Sequence, residues 1–150
     1  MGKNQLTKNT EVIAEIANSH QGSASSALKL AKASVKSGAD AIKFQIYFAD
    51  EMLSKDHPRF SHFKNQSFNE NTWNNLFQKL KRKKTKIYCD VFGVKAFKLA
   101  KKNNVDGYKI HSSDLNNIHL LNLIKDPRKK VFISSGGSTL SEIAFAVKIL

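Results

Sequence analysis

Cysteine is all but missing from this 150-residue chain. Cys89 stands alone, which excludes an internal disulfide framework and suits a reducing compartment. No apolar run is long enough to span a membrane, and residues 1–9 are polar, without the apolar stretch of a secretory signal. The expected location is the cytoplasm, with no membrane partner. Low-complexity linkers and internal repeats are absent too, which leaves a short N-terminal tail (1–10) and one domain (11–150). Acidic residues are scarce, 12 against 25 Lys and Arg, for a formal charge of +13. Such an excess suits a polyanion partner. The cations, however, are 22 Lys and only 3 Arg, whereas readers of nucleic acid lean on the bidentate Arg fork. A lysine-rich solvated surface is the simpler reading, and nucleic acid is disfavoured as a partner. A basic polyanion-binding module built on the dense lysine run 79–86 stays as an alternative.

What the chain does have is alternation. Strand signals fall at 11–17, 41–47, 86–92, 107–111 and 131–135. Helical spacing of apolar residues falls at 24–37, 71–83, 94–103, 118–125 and 140–150. Ser23 reads as the cap of the first helix and Gly38 as its stop. Ser138 or Thr139, with Glu142, forms a capping-box pattern at the last. Five such alternations predict a parallel α/β sheet, either doubly wound or a (β/α) barrel. A closed eight-stranded barrel takes ~250 residues, so the expectation is α/β, the first five or so β/α units of a TIM barrel. Segment 48–69 is too long for an ordinary βα connection and reads as a functional loop. Its Asp50, Glu51, His57 and Arg59 have no assigned role.

The strands carry an anomaly. From Ala41 to Tyr47 the chain is apolar on both alternations except at Lys43 and Gln45. A strand covered on both faces should not hold an ammonium group unless something anionic pairs with it. Glu15, Asp90 and Lys109 repeat the pattern on other strands, in the C-terminal half where α/β folds place their sites. Two readings stand for each: Glu15 with Lys43 is a structural ion pair or part of a site, and Asp90 caps the helix near Val94 or faces a ligand. His111 is a hydrogen-bonded core residue or lies in that same site. Two lysines, several hydroxyls and the Ser134-Ser135-Gly136-Gly137-Ser138 turn together describe a place for a small phosphate- or carboxylate-bearing ligand.

With these residues in hand the chain resembles the sialic acid (N-acetylneuraminate) synthase family. Ala14-Glu15-Ile16-Ala17-Asn18-Ser19-His20-Gln21-Gly22 is similar to the family's Ala-Glu-Ile-Gly-x-Asn-His-x-Gly. Gly38-Ala39-Asp40-Ala41-Ile42-Lys43-Phe44-Gln45 is similar to Gly-Ala-Asp-Ala-Val-Lys-Phe-Gln. Tyr108-Lys109-Ile110-His111-Ser112-Ser113-Asp114-Leu115 resembles Tyr-Lys-Ile-x-Ser-x-Glu/Asp-Leu, and 131–139 resembles the strand ending Ser-Thr-Gly-Met-Ala-Thr. The resemblance implies condensation of phosphoenolpyruvate with an N-acyl sugar such as N-acetylmannosamine, giving a nonulosonic acid and releasing phosphate. It implies that Lys43, Lys109, Ser112 and Ser134 hold phosphoenolpyruvate. It implies that Gln45 and Asp114 face the sugar beside Glu15, the candidate catalytic carboxylate. It further implies a divalent cation, Mn or Mg, whose ligands lie outside this chain, and a homo-oligomer for the full-length family. On this reading the chain is inactive alone and is completed by a complementary chain or C-terminal region. A non-catalytic fragment of such a synthase is the alternative. Three departures stand out: Asp90 where the family has threonine, Ala17 where it has glycine, and Ser19 where it has asparagine.

Overall fold

β1 (Ile13–Ala17), β2 (Ala41–Ile46), β3 (Lys86–Val91), β4 (Gly107–Ile110) and β5 (Lys130–Ile133) lie side by side in chain order, and every neighbouring pair is parallel. The computed structural model describes residues 10–81 and 85–150. The expected tail therefore falls almost wholly outside the described residues, as do the end of the helix expected at 71–83 and part of the lysine run 79–86. Helices fill the crossovers: α1 (Ala24–Lys36), α2 (Ala49–Met52), α3 (Phe60–Gln66), α4 (Glu70–Lys81), α5 (Gly93–Lys102), α6 (Ile118–Ile124) and α7 (Leu140–Ile149). A doubly wound sheet reverses its strand order at a switch point; this one does not. The architecture is the wall of a TIM-type barrel.

Period-2 alternation decides which face the helices cover. Ile42, Phe44 and Ile46 on β2, Ile87, Cys89 and Val91 on β3, and Tyr108 and Ile110 on β4 enter one core with Trp73, Phe77 and Leu80 of α4 and Phe97 of α5. Phe77 stacks on Trp73 at 5.4 Å, and both meet the Phe44 ring edge-on. The residues between them, including Lys43, Gln45, Asp90 and Lys109, take the opposite face, which is the interior of the barrel.

Local signals behave as the chemistry requires. The Ser23 hydroxyl accepts from the Ser26 N–H. Gly38, at φ +92°, ends α1 by donating to the Val35 carbonyl while Ala39 donates to Ser34, the pairing of a left-handed helix stop. Thr139, rather than Ser138, forms the capping box with Glu142. Segment 48–69 departs from the expected loop, because it folds α2 and α3. The reason is Phe63, one turn beyond Phe60, whose ring packs edge-on against Tyr47 at 5.6 Å and anchors the segment to the end of β2.

Glu11, just ahead of β1, joins Lys86 at 2.9 Å, the Tyr88 hydroxyl at 2.8 Å and Lys130. Laid flat, strands one and five sit about 19 Å apart, beyond the reach of two side chains. The sheet is therefore already curled, and this ion cluster sits at its N-terminal mouth. The three donors hold the Glu11 carboxyl down at about 2, Lys130 contributing most.

Candidate anion site at the strand ends

Register places the interior side chains in tiers. Glu15 pairs across with Lys43, and Lys43 with Tyr88. One pleat higher, Gln45, Asp90, Lys109 and Phe132 stand in a row. Above them Tyr47, Phe92, His111 and Ser134 continue the alternation past the ends of their strands. The expected strands ran to Tyr47, Phe92 and His111, whereas the ladders stop one residue earlier, because these side chains leave the sheet to form the rim.

Glu15 and Lys43 form an ion pair, the lysine only 14% exposed. The other Glu15 oxygen accepts the Ala17 N–H at 3.1 Å. That N–H is presented by a bulge between Glu15 and Ala17, with Ala17 at φ +45°. A left-handed alanine costs about 1 kcal/mol or more, so the glycine of the related motif is the relaxed solution and Ala17 the strained one.

Lys109 pairs with Asp90, whose side chain is fully buried. Only Oδ2 of Asp90 is engaged; Oδ1 is buried without a hydrogen-bond partner. Burial raises the Asp90 carboxyl above its ordinary value, opposed first by the bond from Lys109. Asp90 does not cap α5. The first N–H groups of that helix go elsewhere, Gly93 to Asp114 at 3.0 Å and Lys95 to Glu51 at 3.1 Å.

Asp114 is thus committed: one oxygen accepts from Gly93 and the other from Asn117 Nδ2 at 3.0 Å. Its carboxylate serves the start of α5. Ser112 opens a 3₁₀ turn (Ser112–Asp114) directly after β4, and Ser134 follows β5 with its N–H on the Ile110 carbonyl. The structure therefore gathers Glu15, Lys43, Gln45 and Lys109 on one face, with Ser112 and Ser134 at its upper edge.

Beside them a cleft of about 570 Å³ opens among Asn18, Gln45, Tyr47, Arg59, Phe92 and His111. Asn18 Oδ1 and the Tyr47 hydroxyl, both buried, lack partners, and burial raises the Tyr47 phenol. His111 lies over the Phe92 ring at 4.4 Å and bonds Ser113 Oγ at 3.1 Å. Arg59 stacks on Phe63 at 4.9 Å. Sequence reasoning missed Asn18, Tyr47 and Phe92. Extending the period from Lys43 and Gln45 to 47, and from Asp90 to 92, is the signal that finds the last two. His20 of the first motif lies elsewhere, packed on Phe68 at 4.4 Å, where burial lowers its pKa. Its Nδ1 accepts from the Gly22 N–H. Among the described residues no three His, Cys, Asp or Glu side chains are placed to hold a metal ion. No described helix is long and apolar enough to cross a membrane.

Comparison with known proteins agrees with the fold. The sequence model of the NeuB family matches residues 30–150. An uncharacterised protein of Methanocaldococcus jannaschii is 33% identical over 94% of this chain and 42% of its own length. The N,N'-diacetyllegionaminic acid synthase of Campylobacter jejuni is 28% identical over 95% of the chain and 47% of its own length. The crystal structure of an N-acetylneuraminic acid (sialic acid) synthetase from Leptospira borgpetersenii, in complex with citrate, superposes with a TM-score of 0.85 at 29% identity, covering 95% of this chain and 50% of that one. The chain thus spans about half the length of these relatives.

Proposed function

The chain belongs to the NeuB family, and on that premise we propose that it supplies the phosphoenolpyruvate-binding part of a synthase that condenses phosphoenolpyruvate with an N-acyl sugar to a nonulosonic acid. The observation that carries the reading is the tiered arrangement of Glu15, Lys43, Gln45 and Lys109 on the interior face of the first, second and fourth strands. Two ammonium groups on one interior face supply the cations that the phosphate and carboxylate of a small enol phosphate require. Ser112 and Ser134 add hydroxyls at the upper edge.

In the reaction the enol carbon attacks the open-chain aldehyde and positive charge develops at the carbon bearing the phosphate. Water adds there and phosphate departs. Lysines on the phosphate stabilise the leaving charge, and the Glu15 carboxylate stabilises the developing cation and takes or returns a proton. The Ala17 N–H and Lys43 fix Glu15 for that role. The adjoining cleft, with Gln45 and the unpartnered Asn18 Oδ1 and Tyr47 hydroxyl, offers polar contacts for the acceptor sugar.

Calorimetric titration of phosphoenolpyruvate at pH 6 into the wild-type chain and the Lys43→Ala/Lys109→Ala double variant tests the reading. Each lost charge-assisted bond is worth about 1.5 kcal/mol or more, so the double variant binds at least about 100-fold more weakly. Equal affinity in two folded proteins would remove the lysines from the site.

A further inference from the structure

The fully buried Asp90 has a feature that the proposed function does not use. It occupies the barrel interior level with Gln45 and Lys109, and takes the Lys109 ammonium for itself. A ligand anion arriving at Lys109 meets a lysine that is already neutralised, and a second negative charge beside it. A buried carboxylate with one oxygen unbonded is unstable as an anion and is well placed to become an acid. Protonated, it no longer neutralises Lys109 and its O–H becomes a donor.

We propose that Asp90 is a proton-operated competitor for the anion site: ligand binding at Lys109 and Lys43 is coupled to uptake of one proton by Asp90. This rests on the reading of that face as a phosphoenolpyruvate site and specifies how its occupancy is regulated. The step balances. The Asp90–Lys109 pair, net zero, takes one proton to become a neutral carboxylic acid and a free ammonium group, and the ammonium group then pairs with the incoming anion.

Every element around Asp90 bears on this balance. β4 contributes Lys109 and His111, β2 contributes Lys43 with Gln45, β1 contributes Glu15 behind Lys43, and Cys89 is its own neighbour on β3. Burial raises the Asp90 carboxyl, while Lys109, Lys43 and His111 all oppose the rise. The balance between the two directions is what makes the group a switch rather than a permanent charge. Replacing the carboxylate by the neutral, isosteric amide removes both the competition and the proton.

Sulfate is the probe of choice because it remains a dianion throughout pH 5–8, so any pH dependence belongs to the protein. Sulfate and phosphoenolpyruvate are titrated calorimetrically into wild type, Asp90→Asn and Asp90→Ser at pH 5, 6, 7 and 8. Buffers of different ionisation enthalpy are used so that protons taken up are counted. Folding is checked by circular dichroism, and the smaller serine variant serves where the amide does not fit. The expected result is wild-type sulfate affinity that falls as pH rises, with proton uptake on binding. At pH 8 the neutral variants bind more tightly by about 5- to 150-fold, the range of ordinary site coupling, and take up fewer protons by about one. Wild type and folded variants with equal affinity at pH 8, or with equal proton uptake, overturn the linkage while leaving the anion site standing. No binding of sulfate or phosphoenolpyruvate by any of the three proteins overturns the site and the linkage together.

Discussion

Replacing Gly22 by alanine tests how the first motif supports the cleft. Gly22 adopts φ +77°, and a Cβ there would lie 2.6 Å from the Asn65 carbonyl oxygen and 3.4 Å from the Gln66 Cα. Asn65 sits in the last turn of α3 (Phe60–Gln66), the helix whose Phe63 lines the cleft. The left-handed backbone costs an alanine about 1–2 kcal/mol, and overpacking against a carbonyl that cannot swing aside costs about 1–3 kcal/mol more. A less flexible unfolded chain returns about 0.4–1 kcal/mol. The net loss is about 1–4.6 kcal/mol. At about 2.1 cal/mol/K of unfolding entropy per residue, this lowers Tm by roughly 3–15 °C. Two further glycines separate the contributions. Gly38, at φ +92° but with nothing within 4 Å, isolates the backbone strain; Gly136, open and without a left-handed φ, reports the unfolded chain alone. Melting curves followed by circular dichroism should rank Gly22→Ala well below Gly38→Ala, with Gly136→Ala level with wild type or slightly above it. The same Tm for Gly22→Ala and Gly38→Ala would show that the Asn65 carbonyl is no barrier and that α3 is not braced by this turn.

Other outcomes follow from the charged groups. Asp114→Ala leaves the Gly93 N–H and Asn117 amide without their acceptor and should lower stability by about 1–2 kcal/mol in denaturant titration without ligand; an unchanged midpoint would free Asp114 for a direct ligand role. Glu11, with its folded pKa lowered to about 2 by Lys130, Lys86 and Tyr88, contributes stability that is fully present above its unfolded value near 4.5 and lost as pH falls through about 2. Glu11→Gln should therefore lower Tm at pH 6 and converge with wild type in strong acid. A constant gap at every pH would mean that packing, not charge, holds that corner.

The five β/α units were legible because each strand is apolar on the face that meets the helices and α1 and α7 carry a cap or stop in their own sequence. Lys43 announced itself by interrupting that pattern. What could not be read locally are the partners. Asp90 reads equally as a helix cap and as a ligand contact until Lys109, nineteen residues away, is seen beside it. Asp114 looks like a free carboxylate until α5 (Gly93–Lys102) offers it an N–H. α2 (Ala49–Met52) and α3 were hidden because they are too short for a periodic signal and owe their order to Tyr47 and neighbouring aromatic rings. The strand pattern located the lysines, but the competition of Asp90 for one of them emerges only from the side-chain geometry.

The Glu11 cluster has a consequence for assembly of the chain. Its bond to Lys130 closes a loop of 119 residues, so forming it before the intervening units dock carries a large loop-closure entropy. Once made it ties one margin of the sheet to the other. Amide exchange at Val131 should therefore quicken when Glu11 is neutralised, although the two belong to opposite rims of the folded wall.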